Sequence, residues 1–309
     1  MRRWLVAALA AAFVGWGSYG AWAYVHNYLV YRGFPPPRNP AGVRQGKLVR
    51  VSFFSRPLHR RDSYLVYLPA GYAAAAARGK RFPVLYLLHG TGSYATHFID
   101  VGLVGVRVDE LLAAHRIKPF LVVMPEAVDG TLVHDTEWAN TPHGAYESAM
   151  LAALRQVDSR WATIPSRRGR AIAGLSMGGY GAVAIALHHL NLFSTVESWS
   201  GYFTQTPDGP YTGASAATLR AASPQAYVGN LAGPLHRFPL HVLLYAGARD
   251  RFLPQQARFA SELRSLGVSV RALKVPGAHS WALWRREMPL ALRYASRWLA
   301  AATGAGARP

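Results

Sequence analysis

GRAIAGLSMGGYGA is the sequence of residues 169–182 in this chain. The apolar run before the glycines is typical of a buried strand, and the longer run after them is typical of a helix. Between the two, the pattern Gly-x-Ser-x-Gly from Gly174 to Gly178 predicts a tight turn with Ser176 at its apex. We expect both glycines to be required, because a side chain there would collide with a neighbouring strand or helix.

The composition indicates the class of protein and excludes several kinds of functional site. The chain has 309 residues, of which 51% are hydrophobic and 16% are charged, and this suits one α/β domain with a short appendage. It contains no cysteine, which excludes disulfides, thiolate metal sites and a cysteine nucleophile. There is no His-x-x-x-His pair, no carboxylate cluster with ligand spacing and no phosphate-binding glycine motif. We therefore expect neither a metal ion nor a cofactor.

The net charge of +19 raises the question of an anionic partner. Its basic residues are scattered along the chain instead of forming a stripe on one predicted helix. This favours a compositional bias towards arginine, so no nucleic-acid partner is expected. A weak attraction to acidic lipid or polymer is compatible with the same charge.

The amino terminus has the pattern of an export signal. Two arginines precede an uncharged apolar stretch at 4–25, and Ala21-Trp22-Ala23 has the small-x-small form of a cleavage site. The stretch is also long enough to cross a bilayer uncleaved. Residues 1–25 are thus predicted to be a signal peptide or a membrane anchor. We expect an extracellular or periplasmic protein, or one held on the outer face of the cytoplasmic membrane.

The remainder predicts a Pro-rich linker at 26–46 and an α/β domain at 47–301. Strand patterns occur at 48–54, 63–68, 82–88, 120–124, 194–199, 240–245 and 268–275, and helix patterns at 106–115, 146–161, 254–266 and 280–301. The first two strands are expected to pair antiparallel. The later alternation predicts a mostly parallel sheet with helices on both faces. Residues 202–239 show little periodicity and are predicted to form a lid or binding insert.

A serine nucleophile needs a histidine base, and the histidine needs an orienting carboxylate. Asp250 and His279 each follow a predicted strand, and the order Ser176, Asp250, His279 is the order of this triad in one hydrolase architecture. Other candidates fit the pattern less well. His241 lies inside a predicted strand, Asp158, His188 and His189 lie in helices, and Asp208 has no strand before it.

An ester-cleaving serine also requires hydrogen-bond donors for the oxyanion. The backbone N–H of Met177, directly after the serine, is the first candidate. The second is expected from the turn HGTGS at 89–93, with Thr91 preferred and Gly90 as the alternative.

Several segments together resemble the esterase D group of α/β-hydrolases, which includes feruloyl esterases, S-formylglutathione hydrolase and secreted mycolyltransferases. They are FPVLYLLHGTGS, FLVVMPEA, YESAMLAALRQVDSRW, RAIAGLSMGGYGAVAIAL, LFSTVESWSG, LLYAGARD and PGAHSWALWRREM. The resemblance implies an α/β-hydrolase fold and ester hydrolysis or acyl transfer through an acyl-enzyme. It assigns Ser176 as nucleophile, Asp250 as acid, His279 as base, and the N–H groups of Met177 and Thr91 as oxyanion donors.

The chain departs from the group's pattern at two places. Ala153 stands where an acidic residue usually precedes the leucine of that helix, and Glu126-Ala127 stands where Asp-Gly usually follows the strand. Neither departure touches the triad, but both bear on how the acyl or leaving group is held.

The sequence accordingly predicts an exported serine carboxylesterase acting on a small-molecule or lipid ester. One alternative is an acyltransferase that moves an acyl group to a sugar or envelope polymer. Another is a non-catalytic envelope-binding module on the same fold.

The sequence also contains two groups of aromatic residues whose roles can be predicted. Aromatic side chains in or beside the insert either line an acyl pocket or pack the insert onto the domain; they are Tyr202, Phe203, Tyr211 and Tyr227. Two further aromatic residues, Trp281 and Trp284, are expected to anchor the last helix in the core.

Overall fold

The computed structural model describes residues 2–131 and 133–303, with side chains from residue 13 onward. Its strands are β1 (Lys47–Ser55), β2 (Arg60–Leu68), β3 (Val84–Leu88), β4 (Leu121–Pro125), β5 (Asn140–Thr141), β6 (Gly144–Ala145), β7 (Arg170–Leu175), β8 (Thr195–Trp199), β9 (His241–Gly247) and β10 (Ser269–Val275). Its α-helices are α1 (Arg2–Tyr31), α2 (Tyr72–Ala77), α3 (Thr96–Asp100), α4 (Val104–Ala113), α5 (Tyr146–Arg160), α6 (Met177–His188), α7 (Ala216–Ala221), α8 (Pro224–Tyr227), α9 (Ala232–Arg237), α10 (Leu253–Ser265) and α11 (Trp281–Trp298).

Eight strands form one mixed sheet in the order β1-β2-β4-β3-β7-β8-β9-β10. The six strands from β4 to β10 in that order run parallel, and only β2 opposes its neighbours. The antiparallel β1–β2 pair and the mostly parallel sheet predicted from the sequence are confirmed, with ends that differ by a few residues. Parallel strands place their carboxyl ends along one edge, where the loops that follow β3, β7, β8, β9 and β10 meet.

The core occupies both faces of this sheet. Successive residues of β3 point to opposite sides: Tyr86 belongs to the cluster under α5, α6 and α10, whereas Leu85 belongs to the cluster under α4 and α11. Both are fully buried. Such a strand is apolar at every position because helices cover it on either side, which confirms the predicted layering.

Two regions add detail that periodicity did not supply. Helix α1 includes most of the predicted export segment and continues to Tyr31, inside the predicted linker. Among helices over the described residues, none combines the length and the apolar character needed to cross a bilayer. The segment 202–239 contains the short helices α7, α8 and α9.

Candidate active site

The turn between β7 and α6 holds Ser176 in a conformation that few non-glycine residues adopt, with φ 55° and ψ −120°. A Cβ at Gly174 would come within 2.2 Å of the Gly178 carbonyl oxygen, and a Cβ at Gly178 within 2.0 Å of the Leu88 carbonyl oxygen. Both distances are far below any real contact, so the predicted need for the two glycines is confirmed. The turn therefore lifts the serine hydroxyl above the carboxyl edge of the sheet.

The structure brings the three predicted triad residues together. His279 Nε2 lies 2.9 Å from Ser176 Oγ, and His279 Nδ1 lies 3.1 Å from Asp250 Oδ2. The Asp250 side chain is completely buried, whereas 27% of the His279 side chain is exposed. A histidine between a hydroxyl and a buried carboxylate can take the hydroxyl proton and remain oriented while it does so.

The Asp250 carboxylate is held ionised despite its burial. Burial raises its pKa, but the His279 and Ser200 side chains and the Phe252 N–H outweigh this, and the net pKa lies below the usual value. The Phe252 N–H donates to Oδ1 at 3.0 Å, leaving Oδ2 for the imidazole. The acid is therefore negative wherever the histidine must carry a positive charge.

The turn after β3 is held by a buried histidine and a buried tryptophan. His89 Nδ1 donates to the Gly90 carbonyl oxygen at 3.0 Å, and Trp138 Nε1 donates to the His89 carbonyl oxygen at 2.9 Å. Thr91 lines the same cavity as Ser176. Within the part of the chain that is described, neither the Thr91 N–H nor the Met177 N–H has a hydrogen-bond acceptor. Both are thus available to an oxyanion.

Glu126 and Ala127, which depart from the esterase D pattern, form hydrogen bonds that hold the turn after β3. The Ala127 N–H donates to His89 Nε2 at 3.1 Å. Burial lowers the pKa of His89 to about 4, so its ring is neutral and can accept that bond. Glu126 accepts the N–H of Ala95 at 3.1 Å, and burial raises the pKa of its carboxyl to about 7. Glu126 and Ala127 thus hold the loop and do not line the cavity. Ala153, the other departure from the esterase D pattern, is buried in α5.

A cavity of about 440 Å³ opens in front of Ser176. One of its lining residues is the buried Glu137, which accepts hydrogen bonds from the Tyr202 hydroxyl and, at 2.7 Å, from Gln205 Nε2. Burial raises the pKa of Glu137 to about 8, the nearby Asp135 raises it further, and these two donors lower it. With a pKa near 8, the uncharged form of the Glu137 carboxyl is the major one at neutral pH.

Of the aromatic residues in the insert, one lines the cavity and the others pack the insert onto the domain. Tyr202 lines the cavity, whereas Phe203 stacks on Phe259 in the core, with ring centroids 4.1 Å apart. Tyr211 and Tyr227 are also absent from the lining, so this group mainly packs the insert onto the domain. The core positions expected for Trp281 and Trp284 are confirmed, with 8% and 5% exposure.

Sequence reasoning missed several residues of this region: Glu137, Ser200, Gln205 and Phe252. Each lies in a loop with no motif of its own, so no sequence signal marked it. Over residues 2–131 and 133–303, no group of three or more His, Asp or Glu side chains is arranged to hold a metal ion.

Comparison with known proteins places the chain in a family. Residues 55–295 match the family model described as putative esterase. The chain is 26% identical over 247 residues to an endo-1,4-beta-xylanase/feruloyl esterase of Xylanibacter ruminicola, covering 79% of this chain and 30% of that protein. It is 24% identical over 272 residues to an acetyl esterase of Caldicellulosiruptor saccharolyticus, covering 81% of this chain and 98% of that protein.

A solved structure of a ferulic acid esterase aligns with a TM-score of 0.75 at 25% identity, covering 83% of this chain and all of that one. The chain spans less than a third of the length of the first curated relatives that it matches. The fold is that of the α/β-hydrolases, as the esterase D resemblance implied. The chain therefore belongs to the putative esterase family.

Proposed function

We propose that this protein is an exported serine carboxylesterase that works through an acyl-enzyme on Ser176. The observation that carries the proposal is the placement of His279, with Nε2 at 2.9 Å from Ser176 Oγ and Nδ1 at 3.1 Å from the buried Asp250 carboxylate. A neutral imidazole in this position activates a hydroxyl that is otherwise a weak nucleophile.

The reaction follows from this geometry. Ser176 Oγ attacks the ester carbonyl carbon while His279 Nε2 takes its proton, and Asp250 stabilises the imidazolium. The tetrahedral intermediate collapses, the alcohol leaves with the proton from His279, and Ser176 carries the acyl group. Water then attacks the acyl-enzyme, again giving its proton to His279, and releases the carboxylic acid.

The oxyanion is stabilised by the N–H groups of Met177 and Thr91, with Gly90 as the alternative second donor. Both preferred donors lack other acceptors within the described chain, and the turn that carries Thr91 is fixed by His89 and Trp138. Donors fixed before the reaction cost no reorganisation when charge develops, which is why they contribute strongly to the rate.

Replacing the nucleophile tests the mechanism. We expect Ser176→Ala to lower kcat on p-nitrophenyl acetate at least about 1,000-fold and to abolish labelling by a fluorophosphonate. Ser159→Ala, at an exposed position of α5, is the matched control and should keep full activity. Full activity in Ser176→Ala would refute the acyl-enzyme.

Export rests on the sequence pattern at 1–25, most of which lies in helix α1. Residues 1–46 fused to a reporter enzyme that is active only outside the cytoplasm should give activity. Amino-terminal sequencing of the secreted product then distinguishes cleavage after Ala23 from a retained anchor. A fusion that is inactive while the same reporter behind an established export signal is active would contradict export.

A further inference from the structure

Gly92 is the least restricted residue of the turn that carries Thr91. Its φ is +64°, and without a side chain its backbone has more freedom than that of its neighbours. The Ser93 N–H donates to the Gly90 carbonyl oxygen at 3.1 Å and closes the turn around Thr91 and Gly92. The Gly92 N–H donates to the Val133 carbonyl oxygen, so the peptide between Thr91 and Gly92 is held on its N–H side.

The carbonyl side of Gly92 is held by a residue from outside the family match at 55–295. Arg32, the first residue after helix α1, donates from Nη2 to the Gly92 carbonyl oxygen. The guanidinium carries a permanent charge, so this hydrogen bond is of the stronger, charge-assisted kind. Arg32 does not line the cavity in front of Ser176. Its contact with the reacting groups therefore runs through the turn.

The chain around Arg32 is packed on the domain and keeps the guanidinium beside the turn. The Arg32 N–H donates to the Tyr28 carbonyl oxygen at 3.0 Å, at the end of α1. Phe34 packs against the core cluster under α4 and α11, and the Arg285 guanidinium lies 5.1 Å from the centre of its ring. Arg285 Nη1 in turn donates to the Val101 carbonyl oxygen at 3.0 Å. The segment that carries Arg32 is thus attached to the domain through α11.

We propose that Arg32 is a positioning residue of the esterase, which holds the oxyanion turn through the Gly92 carbonyl oxygen and keeps the Thr91 N–H directed at the oxyanion. The inference rests on the proposed acyl-enzyme mechanism and adds to it a residue of the predicted linker at 26–46. Cleavage after Ala23 leaves Arg32 in the chain, so a secreted form and an anchored form share this contact. Because the turn acts when charge develops on the oxygen, Arg32 affects kcat and leaves KM unchanged.

Substitutions of Arg32 in the full chain test the inference. We expect Arg32→Ala to lower kcat on p-nitrophenyl acetate about fivefold, with KM unchanged. The factor is smaller than for the loss of an oxyanion donor, because Arg32 acts through one hydrogen bond that is exposed to solvent. Arg32→Lys should recover part of the loss, since an ammonium group can still donate to the carbonyl oxygen.

A substrate with sulfur in place of the carbonyl oxygen shows whether the oxyanion is the group affected. In the thiono analogue of p-nitrophenyl acetate, the negative charge of the intermediate develops on sulfur, which is a weak hydrogen-bond acceptor. An oxyanion donor therefore speeds the reaction of the oxygen ester more than that of its analogue. We expect Arg32→Ala to lower the ratio of the two rates about fivefold. A purely structural role predicts that both rates fall equally, together with the melting temperature.

The matched control is Arg38→Ala. Arg38 lies further along the same predicted linker with an exposed side chain, so its replacement removes the same charge without touching the turn. It should keep the wild-type kcat and the wild-type ratio. The inference is overturned if Arg32→Ala keeps the wild-type kcat, if its ratio of rates is unchanged, or if Arg38→Ala has the same effect.

Fluorophosphonate labelling separates this inference from the proposed function. The proposed function predicts that Ser176→Ala is inactive and is not labelled. If that holds and Arg32→Ala behaves as the wild type, the positioning role alone is wrong. If Ser176→Ala is labelled and active, the proposed mechanism itself is wrong.

Discussion

Glu197, in the middle of β8, carries a buried carboxyl group, and replacing this residue with glutamine should stabilise the protein in alkaline solution. Its side chain is completely buried, with Oε2 accepting the Trp199 indole N–H at 3.0 Å. Oε1 has no partner within the described chain. Burial raises the pKa from its ordinary value of 4.5 to about 8, even though the Trp199 indole and the Ala295 N–H lower it.

The sign of the pH dependence follows from that direction. Between pH 4.5 and about 8, the unfolded chain has lost the Glu197 proton while the folded protein keeps it. Raising the pH therefore favours unfolding, and the stability present below pH 4.5 is lost progressively until the folded carboxyl ionises near pH 8. The separation of the two pKa values corresponds to an upper limit of about 5 kcal/mol.

Glu197→Gln removes this loss, since an amide cannot ionise and its oxygen can still accept the Trp199 N–H. Urea unfolding of variant and wild type at a series of pH values from 5 to 9 measures the difference in free energy of unfolding. We expect it to increase with pH by about 2–5 kcal/mol, because other titrating groups are common to both proteins. Glu262→Gln on α10 is the control. A difference that stays constant from pH 5 to pH 9 would refute the reasoning.

Four further substitutions test backbone and side-chain packing in the domain. Gly178→Ala should lower the free energy of unfolding by about 3 kcal/mol and reduce activity, because its Cβ would lie 2.0 Å from the Leu88 carbonyl oxygen. Gly233→Ala, whose Cβ meets nothing within 4 Å, should stabilise by about 0.5 kcal/mol, and urea unfolding measures both. Phe203→Ala should cost about 3–5 kcal/mol in the same assay, since the ring is fully buried. Trp138→Phe should lower kcat on p-nitrophenyl acetate with little change in KM, because it frees the turn that carries an oxyanion donor.

The fold was predictable because its signals are local. Strands such as β3 and β4 are short, wholly apolar runs, and the turn at Ser176 carries its glycines within five residues. Asp250 and His279 could be proposed because each follows a strand of a parallel sheet, and such strands share one edge. Each of these inferences needed only the pattern of a segment and its place in the order of strands.

The surroundings of the triad could not be predicted in this way. Glu137 reaches the cavity from the loop after β4, and its donors come from the insert, 65 and 68 residues further along the chain. Trp284 and Ser200 are 84 residues apart and meet only after α11 packs on the sheet. Such contacts depend on the three-dimensional path of loops, which neither periodicity nor spacing encodes.

The carboxyl edge of the sheet explains how the proposed triad is held in place independently of the insert at 202–239. Backbone hydrogen bonds continue past the strand ends, from Ser176 to the Trp199 carbonyl at 2.9 Å and from the Ser200 N–H towards β9. The next bond joins the Arg249 N–H to the Gly277 carbonyl at 2.9 Å, between the loops that carry the acid and the base. The proposed nucleophile, acid and base thus lie on neighbouring backbone segments that are hydrogen-bonded one to the next. Since none of these bonds involves the segment 202–239, that insert can change the shape of the cavity, and with it the ester accepted, without displacing the reacting groups.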